Sequence, residues 1–245
     1  WLDWAPLAGG LQAHAAVQAH YPGASAWLDG PGAGRALAEL RPARGWNPFR
    51  KGPDVALAPA QGQVQMLWSN MALHAEPEPA RRLADWHARL MIDGFLMFSC
   101  LGPDTLRELR DLHQRMGWPE PSAPFVDMHD WGDRLVGAGF AEPVMDMERI
   151  VLSYSGADAL LAELRGLGRN THPQRFGGLR SRAWGSAYRR ALEQELPRDA
   201  DGRLLLTFEV VYGHAFKPRP RLQAGEPSAI SLQEMRSMLK GSRPA

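Results

Sequence analysis

The chain has 245 residues, enough for one large domain or one domain with an elaboration, and enough to bury a full core without staples. Its 28 Lys and Arg against 27 Asp and Glu leave a formal +1, which argues against a dedicated nucleic-acid binder. The single cysteine, Cys100, excludes an internal disulfide framework and a cysteine-based zinc site.

No run approaches the ~18–20 apolar residues of a membrane span. The chain opens Trp-Leu-Asp and shows no charged region followed by an apolar one. No signal peptide is therefore visible, and the start reads as trimmed. A reducing cytoplasm is the simplest compartment for a one-cysteine chain.

In residues 1–100, short apolar runs alternate with helix-like spacers, the pattern of βα units. Trp1–Trp4 reads as a strand and the Ala-rich Leu11–His20 as a helix stopped by Tyr21-Pro22-Gly23. Ser25–Asp29 is a second strand, Gly30–Gly34 a loop, and Arg35–Leu40 a short helix. Residues 42–63 are rich in Pro, Gly and basic side chains, with Val55–Leu57 the best strand among them. Val64–Ser69 has strand length. Ala80–Met91 carries Leu83, Trp86, His87 and Leu90 at helical spacing. Asp93-Gly94 turns the chain into Phe95–Cys100, an apolar strand of the kind buried on both faces.

Residues 101–200 read as mostly helical. Thr105-Leu-Arg-Glu108 fits a capping box, with Leu106, Leu109, Leu112 and Met116 as the buried stripe. Trp118–Pro124 is a loop. Asp127 caps a helix bearing Trp131, Leu135 and Ala138, which ends at Gly139. Val144–Tyr154 is strand-like. Ala157–Leu167 carries Leu160, Leu161, Leu164 and Leu167 before Gly168, and Arg182–Leu196 is a further helix. Residues 203–217 hold the best strand, with Leu204, Leu206, Phe208, Val210 and Tyr212 on one face. Pro218 and Pro220 end it. The tail, 218–245, is basic and loosely ordered, with one short helix expected from Ser231.

Leu67-Trp-Ser-Asn-Met-Ala-Leu-His74, a helix, and then Asp93-Gly-Phe-Leu-Met-Phe-Ser99 resemble the fourth-strand and fifth-strand motifs of class I S-adenosylmethionine (SAM) methyltransferases. Three further stretches are similar to the BioC-type group of that family. They are Leu101-Gly-Pro-Asp-Thr-Leu-Arg-Glu-Leu-Arg110, Pro124-Phe-Val-Asp-Met-His-Asp-Trp131 and Ala138-Gly-Phe140. The group includes the malonyl-acyl-carrier-protein O-methyltransferase of biotin synthesis. It also includes a mitochondrial assembly factor of respiratory complex I, reported as an arginine hydroxylase. The similarity covers residues 60–217 well and residues 1–40 faintly.

The resemblance implies a Rossmann-like α/β fold: a mostly parallel sheet with an antiparallel last strand. It implies a methyltransferase-like domain over 1–217, with a helical insertion at about 155–200. It implies SAM as cofactor, with Asp3, Gly9, Asp29, Ser69 and Asn70 as cofactor-binding candidates. In the family an acid closing the first strand is followed by glycines at three alternate positions. Here those positions read Ala5, Leu7 and Gly9 after Asp3. Ala5 adds a Cβ, Leu7 a whole side chain, and Pro6 removes an N–H donor. Asp29 is the ribose-binding acid by the same resemblance, and Asp54 a weak candidate for the acid that meets adenine.

Each of these residues also has a plainer reading. Asp3 and Asp29 fit strand-end turns, and Ser69-Asn70 fits an Asx turn into the next helix. Trp68 reads as core. Arg107 and Arg110 share a helix face and suit bidentate binding of a malonyl carboxylate, yet Glu108 and Asp111 interleave with them as on a solvated face. Asp127, His129, Asp130 and Asp133 resemble a metal cluster, but only one His is local and the acid-rich start of a helix is the better reading, so no metal is expected. Cys100 reads as a buried thiol. Residues 165–190 carry seven Arg among Phe176, Trp184 and Tyr188, either a solvated face or a surface for an acidic carrier protein.

The function the resemblance implies is methyl transfer from SAM, with the malonyl carboxylate on an acyl carrier protein as acceptor, and with neither nucleic acid nor membrane as partner. A carboxylate needs no general base, so none is named. Two other roles stay open: a non-catalytic assembly or binding protein, and an arginine hydroxylase like the complex I factor.

Overall fold

The computed structural model describes residues 1–41 and 54–220. The expected helix at Ser231 and most of the 218–245 tail lie outside the described residues, as do residues 42–53 of the Pro-rich stretch. In chain order the elements are β1 (Leu2–Trp4), α1 (Leu11–His20), β2 (Ala26–Asp29), α2 (Ala33–Leu40), β3 (Val55–Leu57), β4 (Val64–Asn70), α3 (Pro79–Arg89) and β5 (Leu90–Leu101). They continue with α4 (Arg107–Arg115), α5 (Met128–Gly137), β6 (Ala141–Tyr154), α6 (Ala157–Leu167), α7 (Arg182–Glu195) and β7 (Leu204–Phe216).

The seven strands form one sheet in the order β3-β2-β1-β4-β5-β7-β6. β1 to β5 run parallel, while β7 lies between β5 and β6, antiparallel to both. This is the Rossmann-like α/β architecture expected from the motifs. The strand order reverses beside β1, which places a ligand crevice at the carboxyl ends of β1 and its neighbours.

Alternation along the strands builds two cores, because successive side chains point to opposite faces. Leu2, Leu67, Leu96 and Val211 meet Leu83 and Trp86 of α3 and Trp131 and Leu135 of α5. Trp1, Leu28 and Met66 meet Ala33 and Ala36 of α2 on the other face, and Trp68 joins them half-buried. A third cluster joins Leu204, Leu206 and Phe208 of β7 to α4, α6 and α7, so the helical insertion between β6 and β7 packs on the sheet's far end.

Several local expectations change. Thr105 and Glu108 do not form a capping box. The first residue flanking α4 is Leu106, in the left-handed region at φ 56°, with no side-chain cap. Thr105 and Glu108 turn to β7 instead. Thr105 Oγ1 donates to the Glu209 carbonyl and accepts from its N–H, both at 3.1 Å. Glu108 accepts from the Thr207 N–H at 2.9 Å and from the Thr207 hydroxyl. Tertiary partners for both side chains outcompete the local cap. Met116 and Leu167 sit at helix ends and are exposed, as is Tyr212, whose hydroxyl donates to Glu148 on β6. α2 starts two residues earlier than expected, at Ala33, because Gly32 in the left-handed region flanks it. β5 starts at Leu90, directly after α3, so Asp93-Gly94 lies within the strand.

Candidate functional site

The crevice is built from the ends of β1, β2, β4 and β5. The loop leaving β1 keeps a glycine-like path without its first glycine. Ala5 has φ 54°, a conformation that costs a Cβ-bearing residue ~1–2 kcal/mol. Its N–H donates to the Asp29 carbonyl at 2.9 Å, which anchors the turn to β2. Leu7 packs on α2: a Cβ at Gly32 would fall 2.9 Å from Leu7 Cδ1. Gly9 is fixed by close approach, since a Cβ there would fall 2.2 Å from Nδ2 of Asn70. That surviving glycine is therefore required by β4.

The predicted cofactor residues divide. Asp29, Ser69, Asn70 and Gly9 gather at adjacent strand ends. Asn70 Oδ1 accepts from the Ser99 hydroxyl at 2.5 Å, and Ser99 Oγ accepts from the Met71 N–H at 3.1 Å. Ser69 Oγ is buried without a partner among the described residues. Asp3 is closed off from solvent. It is 2% exposed and pairs with Nδ1 of His14 on α1 at 2.8 Å. Burial pushes its carboxyl above the usual range, and the His14 hydrogen bond opposes that. Asp54 accepts from the Ser25 hydroxyl at 2.7 Å, at the opposite, amino-terminal end of β3.

Asp29 is not free. Its Oδ1 accepts from the Gly30 N–H at 2.7 Å, and Arg89 at the end of α3 holds Oδ2 at 3.2 Å. Asp29 and Arg89 line a cavity of about 370 Å³ with Trp4, Arg82 and Trp86. Arg82 stacks over the Trp4 ring at 4.2 Å. Neither Arg82 nor Arg89 was singled out by the sequence, because each reads as an ordinary helix-surface cation until α3 is packed.

The two candidate substrate arginines part company. Arg107 is exposed and reaches Glu108 at 3.2 Å and Asp104 at 3.8 Å. Arg110 donates to the Pro103 carbonyl and lines a cavity of about 380 Å³ with Glu120, Ser122, Phe125, His172 and Gln174. His172 and Gln174 come from the insertion, so the cavity lies between the end of β5 and that segment. Close by, His74 accepts from the Leu101 N–H at 3.3 Å, and its ring lies 6.0 Å from Phe125. Burial lowers its pKa to about 4, so the ring is neutral at pH 7. Its place one turn beyond Asn70 was the available signal in the sequence.

The remaining candidates are structural. Asp127 caps α5 through the His129 N–H at 2.7 Å and also meets the His129 ring at 2.8 Å. Among the described residues no group of three or more His, Cys, Asp or Glu converges as metal ligands. Cys100 is buried, and desolvation pushes its thiol up to about 12, with the neighbouring Trp131 indole opposing that rise. No helix among the described residues is long and apolar enough to cross a membrane.

No family model matches the sequence. Curated relatives do. The chain is 46% identical over 169 residues to a malonyl-[acyl-carrier protein] O-methyltransferase of Laribacter hongkongensis, covering 66% of this chain and 54% of that protein. The protein of the same name from Gallionella capsiferriformans is 44% identical over 168 residues, covering 68% and 57%. That of Legionella pneumophila is 34% identical over 192 residues, covering 76% and 66%. The chain spans about half to two thirds of the length of these relatives.

Solved structures agree on the fold. The YcgJ protein of Bacillus subtilis matches with a TM-score of 0.55 at 8% identity, covering 89% of this chain and 92% of that one. A Bacillus halodurans protein assigned as a methyltransferase matches with a TM-score of 0.51 at 14% identity, covering 89% and 91%. With the strand order, the crevice at β1 and the motifs at β4 and β5 in place, the chain belongs to the class I SAM-dependent methyltransferase family and within it resembles the malonyl-acyl-carrier-protein O-methyltransferase group.

Proposed function

We propose that this chain is a SAM-dependent O-methyltransferase acting on the free carboxylate of a malonyl thioester carried by an acyl carrier protein, a step of biotin synthesis. The observation that carries the proposal is the pairing of two adjoining sites at the strand ends. One is the group of strand-end residues, Asp29 at the end of β2 and Ser69 and Asn70 at the end of β4 with Gly9 packed on Asn70; the other is the Arg110 cavity, whose Phe125 meets His74 four residues past Asn70. The relatives' shared name supports the choice of acceptor. A single buried thiol fits a reducing compartment, and we place the protein in the cytoplasm. The working unit is residues 1–217 with the insertion at about 155–200, and 218–245 is an appended tail.

The residues fit the cofactor at the ribose and β4 ends. Asp29 would take the ribose hydroxyls through charge-assisted hydrogen bonds. The partnerless Ser69 hydroxyl and the Asn70 amide are the polar groups at the next strand end. Ala5 and Leu7 are the departures from the family pattern, while the acid is kept as Asp3 and paired with His14, so binding rests most on Asp29, Gly9, Ser69 and Asn70.

When bound, SAM supplies an electrophilic methyl group on a sulfonium. The chain's residues have less to do than in an acid–base enzyme. A carboxylate is already the nucleophile, so no proton is moved. Arg110 holds the acceptor carboxylate as a planar fork and directs one oxygen toward the crevice. Phe125 and the insertion's His172 and Gln174 wall that cavity and limit water. His74, neutral at pH 7, adds no competing positive charge.

The experiment is thermal unfolding with saturating SAM, followed by methylation of malonyl-loaded carrier protein. Ligand at about 100 times its Kd adds ~2.7 kcal/mol, which raises Tm by roughly 5–10 °C in a domain of this size. No shift and no methyl transfer would overturn the reading.

A further inference from the structure

We propose that the insertion's arginine face, residues 165–190, is the docking surface for an acidic face of the carrier protein, seated so that its thioester arm reaches the Arg110 cavity. The inference rests on the function proposed above.

Charge is the first argument. The segment holds seven Arg and no Asp or Glu. The whole chain is only +1, so the rest of the molecule is net acidic and the positive charge is local. Arg165, Arg169, Arg182 and Arg190 are exposed and make no ion pair or side-chain hydrogen bond among the described residues. Arg189 is paired with Asp158 at 2.6 Å, and Arg175 donates to the His172 carbonyl at 3.2 Å. Unpaired guanidinium groups spread along one exposed segment favour a carboxylate-rich partner and steer its approach.

Order is the second argument. Arg180 lies 3.6 Å over the Phe176 ring and 4.1 Å over the Trp184 ring. Trp184 stacks on Tyr188 at 4.8 Å, and the Tyr188 hydroxyl meets His113 of α4 at 3.0 Å. This column ties the arginine face to α4, so fewer rotamers are lost on binding. Leu179, fully exposed beside Arg180, supplies an apolar contact at the centre.

Position is the third. His172 and Gln174 belong to the arginine segment and also line the Arg110 cavity. A partner resting on Arg169, Arg180 and Arg182 therefore sits at the rim of the proposed carboxylate site.

The test uses the full chain, malonyl-loaded carrier protein, and the malonyl thioester of pantetheine as a short substrate. The variant is R169E/R182E/R190E, with R81E on α3 as a charge-reversal control. Calorimetry is expected to show the triple variant binding carrier protein roughly 30-fold or more weaker, with R81E unchanged. Binding by the wild type should weaken as salt rises. The variant should keep the wild-type rate on the short thioester and lose it on the carrier protein. Equal carrier binding by wild type and variant overturns the docking surface, as does no carrier binding by the wild type. Capture of a short single-stranded DNA as tightly as the carrier assigns the face to nucleic acid and also overturns it. Failure of the wild type to methylate either substrate overturns the function, while the binding comparison still decides the surface.

Discussion

Arg89 Nη1 stands 3.2 Å from Oδ2 of Asp29, joining the last residue of α3 to the last residue of β2 across the cofactor crevice. The acid best placed to take a ribose is thus already neutralised by the chain itself. Arg89 Nε and Nη2 are buried without partners among the described residues, so the guanidinium is held there by this one carboxylate. Cofactor binding competes with that pair.

Replacing Arg89 with Met should release Asp29 and tighten SAM binding by roughly 3- to 10-fold, since a partly exposed pair is worth at most about 1 kcal/mol or slightly more. Asp29→Asn should weaken binding by about 10-fold or more, as charge-assisted hydrogen bonds become neutral ones. Isothermal titration on both variants checks the pair. Unchanged affinity in both would remove Asp29 from the site.

Arg110→Lys should lower kcat/KM for the malonyl acceptor by roughly 10²-fold, because a point charge cannot replace a planar fork. Arg107→Ala should change it by less than about twofold, since exposed ion pairs contribute little. Steady-state rates on the same acceptor distinguish them. Equal losses would mean that the two act together after all.

Glu108 gives an acid-stability signature. Burial raises its carboxyl pKa, but the Thr207 side-chain and backbone hydrogen bonds outweigh burial, aided by its own N–H and Arg107, and the net direction is down. A depressed folded pKa stabilises above the unfolded value and is lost as pH falls through the folded one. Glu108→Gln should therefore cost ~1.5–3 kcal/mol near neutrality. The difference from wild type should shrink below the ordinary carboxylate value of 4.5. Urea melts across that pH range measure it. A difference that stays constant with pH would exclude the charged contact.

Cys100, with its thiol pushed up to about 12, remains protonated at ordinary pH. It should resist alkylation at pH 8 in the folded protein and react fully in denaturant. Mass spectrometry after iodoacetamide treatment reads the result. Fast modification of the folded chain would mean that the end of β5 opens to solvent.

Much of this was legible in the chain. The βα alternation and the strand expected over 203–217, observed as Leu204–Phe216, were legible because strand and helix periods are local properties, while the topology and the family came from the resemblance of the motifs from Trp68 to Phe140. The Asp127 cap was also local, and it formed as the spacing implied. Thr105 and Glu108 had the spacing of a cap as well, yet β7, about a hundred residues away in sequence, supplied Glu209 and Thr207 as partners.

The site shows the same division. The motif resemblance placed Asp29, Ser69 and Asn70 at strand ends and Gly9 in the loop after β1, and the ends of parallel strands gather at one edge of a sheet. Only the packed structure turned Asp3 toward His14, brought Arg89 onto Asp29, and separated Arg110 from Arg107. Those outcomes depend on which face of each helix meets the sheet. Hydrogen bonds between distant residues are decided by that packing, and spacing along the chain does not encode it.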